Sequence, residues 1–181
     1  MILYHGSPIG DLTELRPFLS EHQKPYIYLA SNPVVALLYA VKPAPKPFSF
    51  YPYGFDGNKV VYSEYYTDCF KDLYKGKKGF LYECENPENT KNPTAINCAY
   101  TCENPVKITY CTVIDDLYEK FMEYKEKGLF VIKPFENISE KELNFVYDYM
   151  KKTILQHDLK NCPNSPMSKF IITHFPTAWF E

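Results

Sequence analysis

The hydrophobic period of the chain changes abruptly at Ser31-Asn32-Pro33. Before it, Tyr26 to Ala30 reads as a strand. After it, Val34 to about Val41 is almost wholly apolar, so that a helix there is buried on every side. Ser31 or Asn32 caps its free amides and Pro33 suits its first turn. A helix without a polar face needs a sheet beneath it and further elements around it, so the fold must bring strands and helices into one core. With 181 residues, 45% of them hydrophobic, the chain has enough apolar surface to build that core as a single domain spanning residues 1–181.

The other segments fit an α+β arrangement. Ile2 to Tyr4 is a short strand entering a turn at His5-Gly6-Ser7-Pro8, and Asp11 to Pro17 is a loop or a short second element. Asn58 to Tyr66, Gly79 to Glu85, Thr94 to Cys102 and Val106 to Val113 are candidate strands, rich in Val, Ile, Tyr and Thr. Thr67 to Tyr74 is a candidate short helix. Ile114 to Lys127 is amphipathic, with Leu117, Phe121 and Tyr124 on one stripe and Gly128 as its stop. Ser139 to about His157 opens with a Ser139/Glu142 capping box. The apolar tail from Pro166 docks as a final helix or strand.

Lys42 to Gly57 carries four prolines and five aromatics, which excludes a helix or a central strand. It reads either as a lid or binding loop, or as a loop packed on the core by its rings. An exposed form of it would give a protein-interaction surface at Phe48, Phe50 and Tyr51.

Charge and cysteine usage narrow the function. A formal net charge of −2 excludes a broad electrostatic binder of nucleic acid or membrane. MILYHGSP has no basic stretch ahead of a long apolar run, and no window approaches about 18 apolar residues, so a cytoplasmic chain without a membrane span is expected. The six cysteines then read as free thiols. Cys98 and Cys102 lack the paired C-x2-C knuckles of a zinc site, and no metal is expected. Arg16 is the sole arginine, so any mechanism that requires one must use it.

The stretch Leu3 to Ala40 carries the most chemistry. His5 at a strand end beside a glycine sets an imidazole next to exposed backbone groups, which suits a ribose hydroxyl together with a planar amide. Tyr28 and Tyr39, eleven residues apart across a turn, are placed to stack on a flat ligand. Each has a plainer reading: a turn histidine, and tyrosines drawn from an aromatic content of 17%.

Taken together, His5-Gly6-Ser7, Ile27-Tyr28-Leu29-Ala30 and Tyr39 resemble the ADP-ribosyltransferase superfamily, on the side of the poly(ADP-ribose) polymerases and diphtheria toxin. The resemblance is good over about forty residues and looser beyond, where Gly79-Phe80-Leu81-Tyr82, Pro105-Val106 and the following helix fit the family's later pattern. It implies a split antiparallel sheet with flanking helices, and NAD as substrate. In that family the histidine contacts the adenosine ribose, the glycine backbone holds the nicotinamide amide, and the two tyrosines sandwich the nicotinamide. His5, Gly6, Ser7, Tyr28 and Tyr39 are therefore the implied binding residues, with Tyr28 also in the catalytic set. The missing arginine on the first strand excludes the other branch of the superfamily.

Two positions depart from the family. Its catalytic glutamate falls at Ala99, and Ala36 stands where polymerase members have a serine that bonds the nicotinamide amide. Glu103 is the first candidate replacement, with Glu64 and Glu83 behind it; an ordinary turn residue is the plainer reading of Glu103. A glutamate-free transferase completed by its acceptor, or an inert NAD- or ADP-ribose-binding domain, are the alternatives. The expected activity is mono-ADP-ribosyl transfer with nicotinamide release to an acceptor the sequence does not name.

Overall fold

A computed structural model describes residues 1–19, 24–42, 44–46, 48, 51–85, 87, 90–92 and 96–181. In chain order the elements are β1 (Ile2–Ser7), β2 (Glu14–Leu15), β3 (Phe18–Leu19), β4 (Pro25–Ala30), α1 (Pro33–Leu38), β5 (Tyr53–Asp56), β6 (Lys59–Ser63), α2 (Cys69–Tyr74), β7 (Gly79–Glu85), β8 (Ala99–Cys102), β9 (Val106–Ile114), α3 (Leu117–Glu126), β10 (Phe130–Lys133), α4 (Glu140–Gln156), α5 (Pro166–His174) and α6 (Pro176–Phe180). The class is α+β with antiparallel sheets. The residues group into two compact units, 1–42 with 74–130, and 43–73 with 131–181.

In the first unit, an antiparallel sheet runs in the order β2-β9-β7-β1-β4-β3, and β8 pairs with β4 as well. β1 is longer than the expected Ile2 to Tyr4. β7 offers it a partner at every position from Ile2 opposite Glu85 to Ser7 opposite Phe80, so His5 and Gly6 are strand residues rather than turn residues. On its other side β1 meets β4 in register at Tyr4 opposite Ala30. β8 pairs with β4 from Ile27 opposite Cys102 to Ala30 opposite Ala99. The sheet is thus continuous on either side of a seam between β1 and β4. Leu3, Leu15, Ile27, Leu29, Cys84, Cys102 and Val106 form one buried cluster in this sheet, each large aliphatic side chain there contributing roughly 1.5–3 kcal/mol by leaving water.

α1 begins as its sequence dictates: the Asn32 side chain accepts the Val34 N–H at 2.9 Å, and Val34 to Leu38 are all buried. It is shorter than the expected run to Val41. The Tyr39 and Ala40 N–H groups turn back to the carbonyls of Ala36 and Leu37, a tightened final turn that leaves Tyr39 at the helix end. The Tyr74 hydroxyl donates to the Leu38 carbonyl at 2.8 Å and satisfies one of the carbonyls freed there. α3 starts at Leu117 because Asp116 accepts the N–H groups of Tyr118 and Glu119, and Gly128, at φ 71°, ends it.

In the second unit, β5 and β6 form a hairpin turned at Gly57 (φ 57°), and β10 pairs with β6. The end of the proline-rich stretch is therefore an edge strand. Phe48 and Tyr51 are buried, Phe48 against Tyr65, Phe145 and Tyr149 at ring separations of 5.2–5.8 Å. This corrects the reading of an exposed docking loop, because these rings gain more from packing than from solvent. Phe50, with Pro43, Pro47 and Ser49, lies outside the described residues. The Ser139/Glu142 capping box opens α4, and Ser139 with Lys133 holds the Glu142 carboxyl down to about 2. The tail forms α5 and α6, with Trp179 buried. No helix among the described residues is long and apolar enough to cross a membrane.

Candidate functional site

The seam between β1 and β4 gathers most of the residues singled out in the sequence. His5 donates from Nδ1 to the Tyr28 carbonyl at 2.8 Å. A carbonyl only accepts, so the proton sits on Nδ1 and the neutral ring leaves Nε2 as an acceptor. Burial lowers the imidazole pKa below its usual value, against a smaller opposing effect of the Tyr28 bond, and so favours that neutral form. Nε2 has no hydrogen bond among the described residues. Successive strand residues direct their N–H and C=O groups to opposite edges. From His5 to Ser7 the ladder of β1 runs to β7 alone among the described residues, so backbone groups of this segment also face the seam.

Gly6 is required by the approach of α1. A Cβ built on it would stand 1.9 Å from the Ala36 carbonyl oxygen and 2.7 Å from the carbonyl carbon. That oxygen also accepts the Tyr39 N–H at 3.1 Å. The missing side chain at Gly6 lets the last turn of α1 seat on β1, and the same carbonyl positions Tyr39 beside it. Tyr39 is 47% exposed, unlike the fully buried helix that precedes it.

Ser7 serves its own turn. It is buried, and its hydroxyl accepts the Ile9 N–H at 3.1 Å. Tyr82, in register with His5 and fully buried, donates to the Ile9 carbonyl and accepts from the Leu12 N–H, tying segment 9–12 to β7. Its position in the Gly79–Tyr82 stretch was the only signal of that role. Phe18 lies 5.9 Å from the Tyr28 ring and Tyr26 lies 6.3 Å from it. Nothing in the sequence marked Phe18, because a two-residue strand shows no period.

The candidate carboxylates are dispersed. Ala99 stands opposite Ala30, and Thr101 opposite Tyr28, so β8 presents no acid at either level. Glu103 follows the end of β8, where the chain bends, and bonds Lys91 at 3.3 Å in an exposed ion pair. Glu83 sits opposite Tyr4 on β7, on the far side of β1 from β4. Glu64 belongs to the second unit, where it accepts the Phe70 N–H at 3.1 Å and burial raises its carboxyl pKa.

All six cysteines are free thiols; burial pushes Cys84 up to about 11. Among the described residues no group of three His, Cys, Asp or Glu side chains is arranged to hold a metal ion. Chemically, the seam offers an imidazole nitrogen that can accept from a hydroxyl, backbone groups and the Tyr28 ring, while Tyr39 stands half-exposed at the end of α1. No family model, curated protein or solved structure matches the chain.

Proposed function

We propose that the chain has an ADP-ribosyltransferase-type fold and binds NAD at the seam between β1 and β4, as a mono-ADP-ribosyltransferase of the histidine–tyrosine branch. The observation that carries this reading is the His5–Tyr28 bond: it fixes the imidazole with Nδ1 on the Tyr28 carbonyl, and burial favours the neutral ring, so that Nε2 is an acceptor for a ribose hydroxyl. The backbone around Gly6 supplies partners for the nicotinamide amide, and Tyr28 and Tyr39 supply aromatic faces. Ala36 donates nothing to that amide, so the backbone has to hold it alone.

In the reaction, the bond between the ribose C1′ and the nicotinamide nitrogen breaks, and its electron pair leaves with neutral nicotinamide. The acceptor's nucleophilic atom then donates a pair to C1′ and releases its proton to a base. Positioning and electrostatic stabilisation of the positively charged sugar are the tasks left to the protein. Glu103 is the candidate carboxylate for both, after release from Lys91. An assay of nicotinamide release from NAD tests this: turnover that disappears in His5→Ala, Tyr28→Ala and Glu103→Gln supports it, and wild-type protein that neither binds nor cleaves NAD refutes it.

A second reading is favoured by Ala99 opposite Ala30 and by the engagement of Glu103 with Lys91. In it the chain binds NAD or ADP-ribose without cleaving either. Saturable NAD binding with no nicotinamide release selects this reading over the first.

A further inference from the structure

We infer that Phe18 is a specificity-determining residue of the NAD site, forming with Tyr28 an aromatic corner that contacts the nicotinamide ring. The inference rests on the NAD reading above and deepens it.

Phe18 pairs with Tyr26 across the short edge ladder of β3 and β4. Residues opposite one another in an antiparallel pair share a face, as do residues two apart on one strand. Phe18, Tyr26 and Tyr28 therefore stand on one face. The Phe18 ring lies 5.9 Å from that of Tyr28 at 58°, and Tyr26 meets Tyr28 edge-on at 6.3 Å and 76°. Tyr26 thus braces Tyr28 from its own strand while Phe18 leans on it from the next.

Phe18 remains 50% exposed. Edge strands commonly carry charge or proline, which discourage pairing with other chains. A phenyl ring gains only part of its burial energy in such a place, and its exposed side is open to a ligand. Its tilt against Tyr28 does suit a ligand: two aromatic planes at this angle receive a flat ring stacked on one and edge-on to the other, the two arrangements aromatic groups prefer. The NAD reading puts the nicotinamide on Tyr28. Phe18 then touches that half of the dinucleotide and not the ADP-ribose half.

Calorimetric titration of NAD and of ADP-ribose into wild type, Phe18→Ala and Phe18→Leu tests the assignment. Loss of one aromatic contact in Phe18→Ala should weaken NAD binding about threefold to tenfold and leave ADP-ribose binding unchanged. Phe18→Leu, which keeps an apolar side chain on the edge strand, should fold as wild type and show the same selective loss to a smaller degree. Equal affinities in all three proteins, or equal weakening of both ligands, overturn the inference while the NAD reading stands. Wild type that binds neither ligand overturns the NAD reading and this inference with it.

Discussion

His5 Nδ1 and the Tyr28 carbonyl are 2.8 Å apart, so a side chain joins β1 to β4 beyond their in-register contact at Tyr4 and Ala30. The bond depends on His5 but not on its charge. Burial lowers the folded-state pKa, whereas an unfolded histidine protonates near 6.5. Between the two values the unfolded chain binds more protons. The stability contribution is complete above about pH 6.5 and is lost as pH falls through the folded value. His174 is also lowered by burial and acts with the same sign. Denaturant unfolding between about pH 8 and pH 5 should show this decline. His5→Asn, whose amide can still donate to the Tyr28 carbonyl, should flatten the decline, and on the NAD reading it should also abolish NAD binding. A decline of unchanged steepness in His5→Asn would place the effect elsewhere.

The contact of Gly6 with Ala36 sets a steric limit. In Gly6→Ala the new methyl would lie 1.9 Å from a backbone oxygen, which cannot swing aside as a flexible side chain would. Either α1 lifts from β1 or the strand shifts. Chemical denaturation should report a loss of about 3 kcal/mol, at or beyond the upper end for overpacked sites. Gly54→Ala is the matched control: a Cβ there meets nothing within 4 Å, and a change within about 0.5 kcal/mol is expected. Equal effects at the two glycines would be incompatible with the packing described.

Local chemistry was legible in the sequence wherever one residue decides it. Asn32 and Pro33 announced α1, Ser139 and Glu142 announced α4, and Gly79 to Glu85 marked β7 at its observed limits. Long-range pairing was not. His5 to Ser7 looked like a turn because glycine and serine are common in turns, yet β7 holds them in a ladder from about 75 residues away in the chain. The end of α1 was misplaced because an apolar run does not reveal where i−3 bonds replace i−4 bonds. In the site, the histidine and tyrosines could be marked by spacing, but the His5–Tyr28 bond depends on strand neighbours. Phe18 joins the site only through pairing with Tyr26, which a two-residue strand cannot advertise.

Tyr82 gives a test of what holds segment 9–12 in place. Its hydroxyl donates to the Ile9 carbonyl at 2.9 Å and accepts the Leu12 N–H at 3.3 Å, from a ring that is fully buried. Tyr82→Phe removes both bonds while filling the same space. Global stability should fall by about 1–2 kcal/mol, as two neutral hydrogen bonds are lost and their backbone partners regain water only in part. Hydrogen exchange should accelerate selectively at the Leu12 amide. Unaltered exchange there would mean that the segment is held by other contacts.

Ala99 offers a gain-of-function test of the NAD reading. It lies opposite Ala30 on β8, two residues from Thr101, which faces Tyr28. The Ser31 N–H also bonds the Cys98 carbonyl at 2.9 Å, so the start of β8 is tied to the entry of α1. Ala99 is only partly buried, which gives a longer side chain room to extend. A carboxylate at this level would stand beside the strand carrying Tyr28, whereas Glu103 lies beyond the strand end and is paired with Lys91. Nicotinamide leaves faster when negative charge faces the cationic sugar, and a single well-placed electrostatic partner is worth roughly a hundredfold or more in such reactions. Ala99→Glu should therefore raise nicotinamide release at least about tenfold over wild type, an allowance for imperfect placement. Ala99→Gln, equal in size but uncharged, should leave the rate unchanged. Equal rates in the two variants, with both proteins still binding NAD, would show that the sugar does not lie against this end of β8.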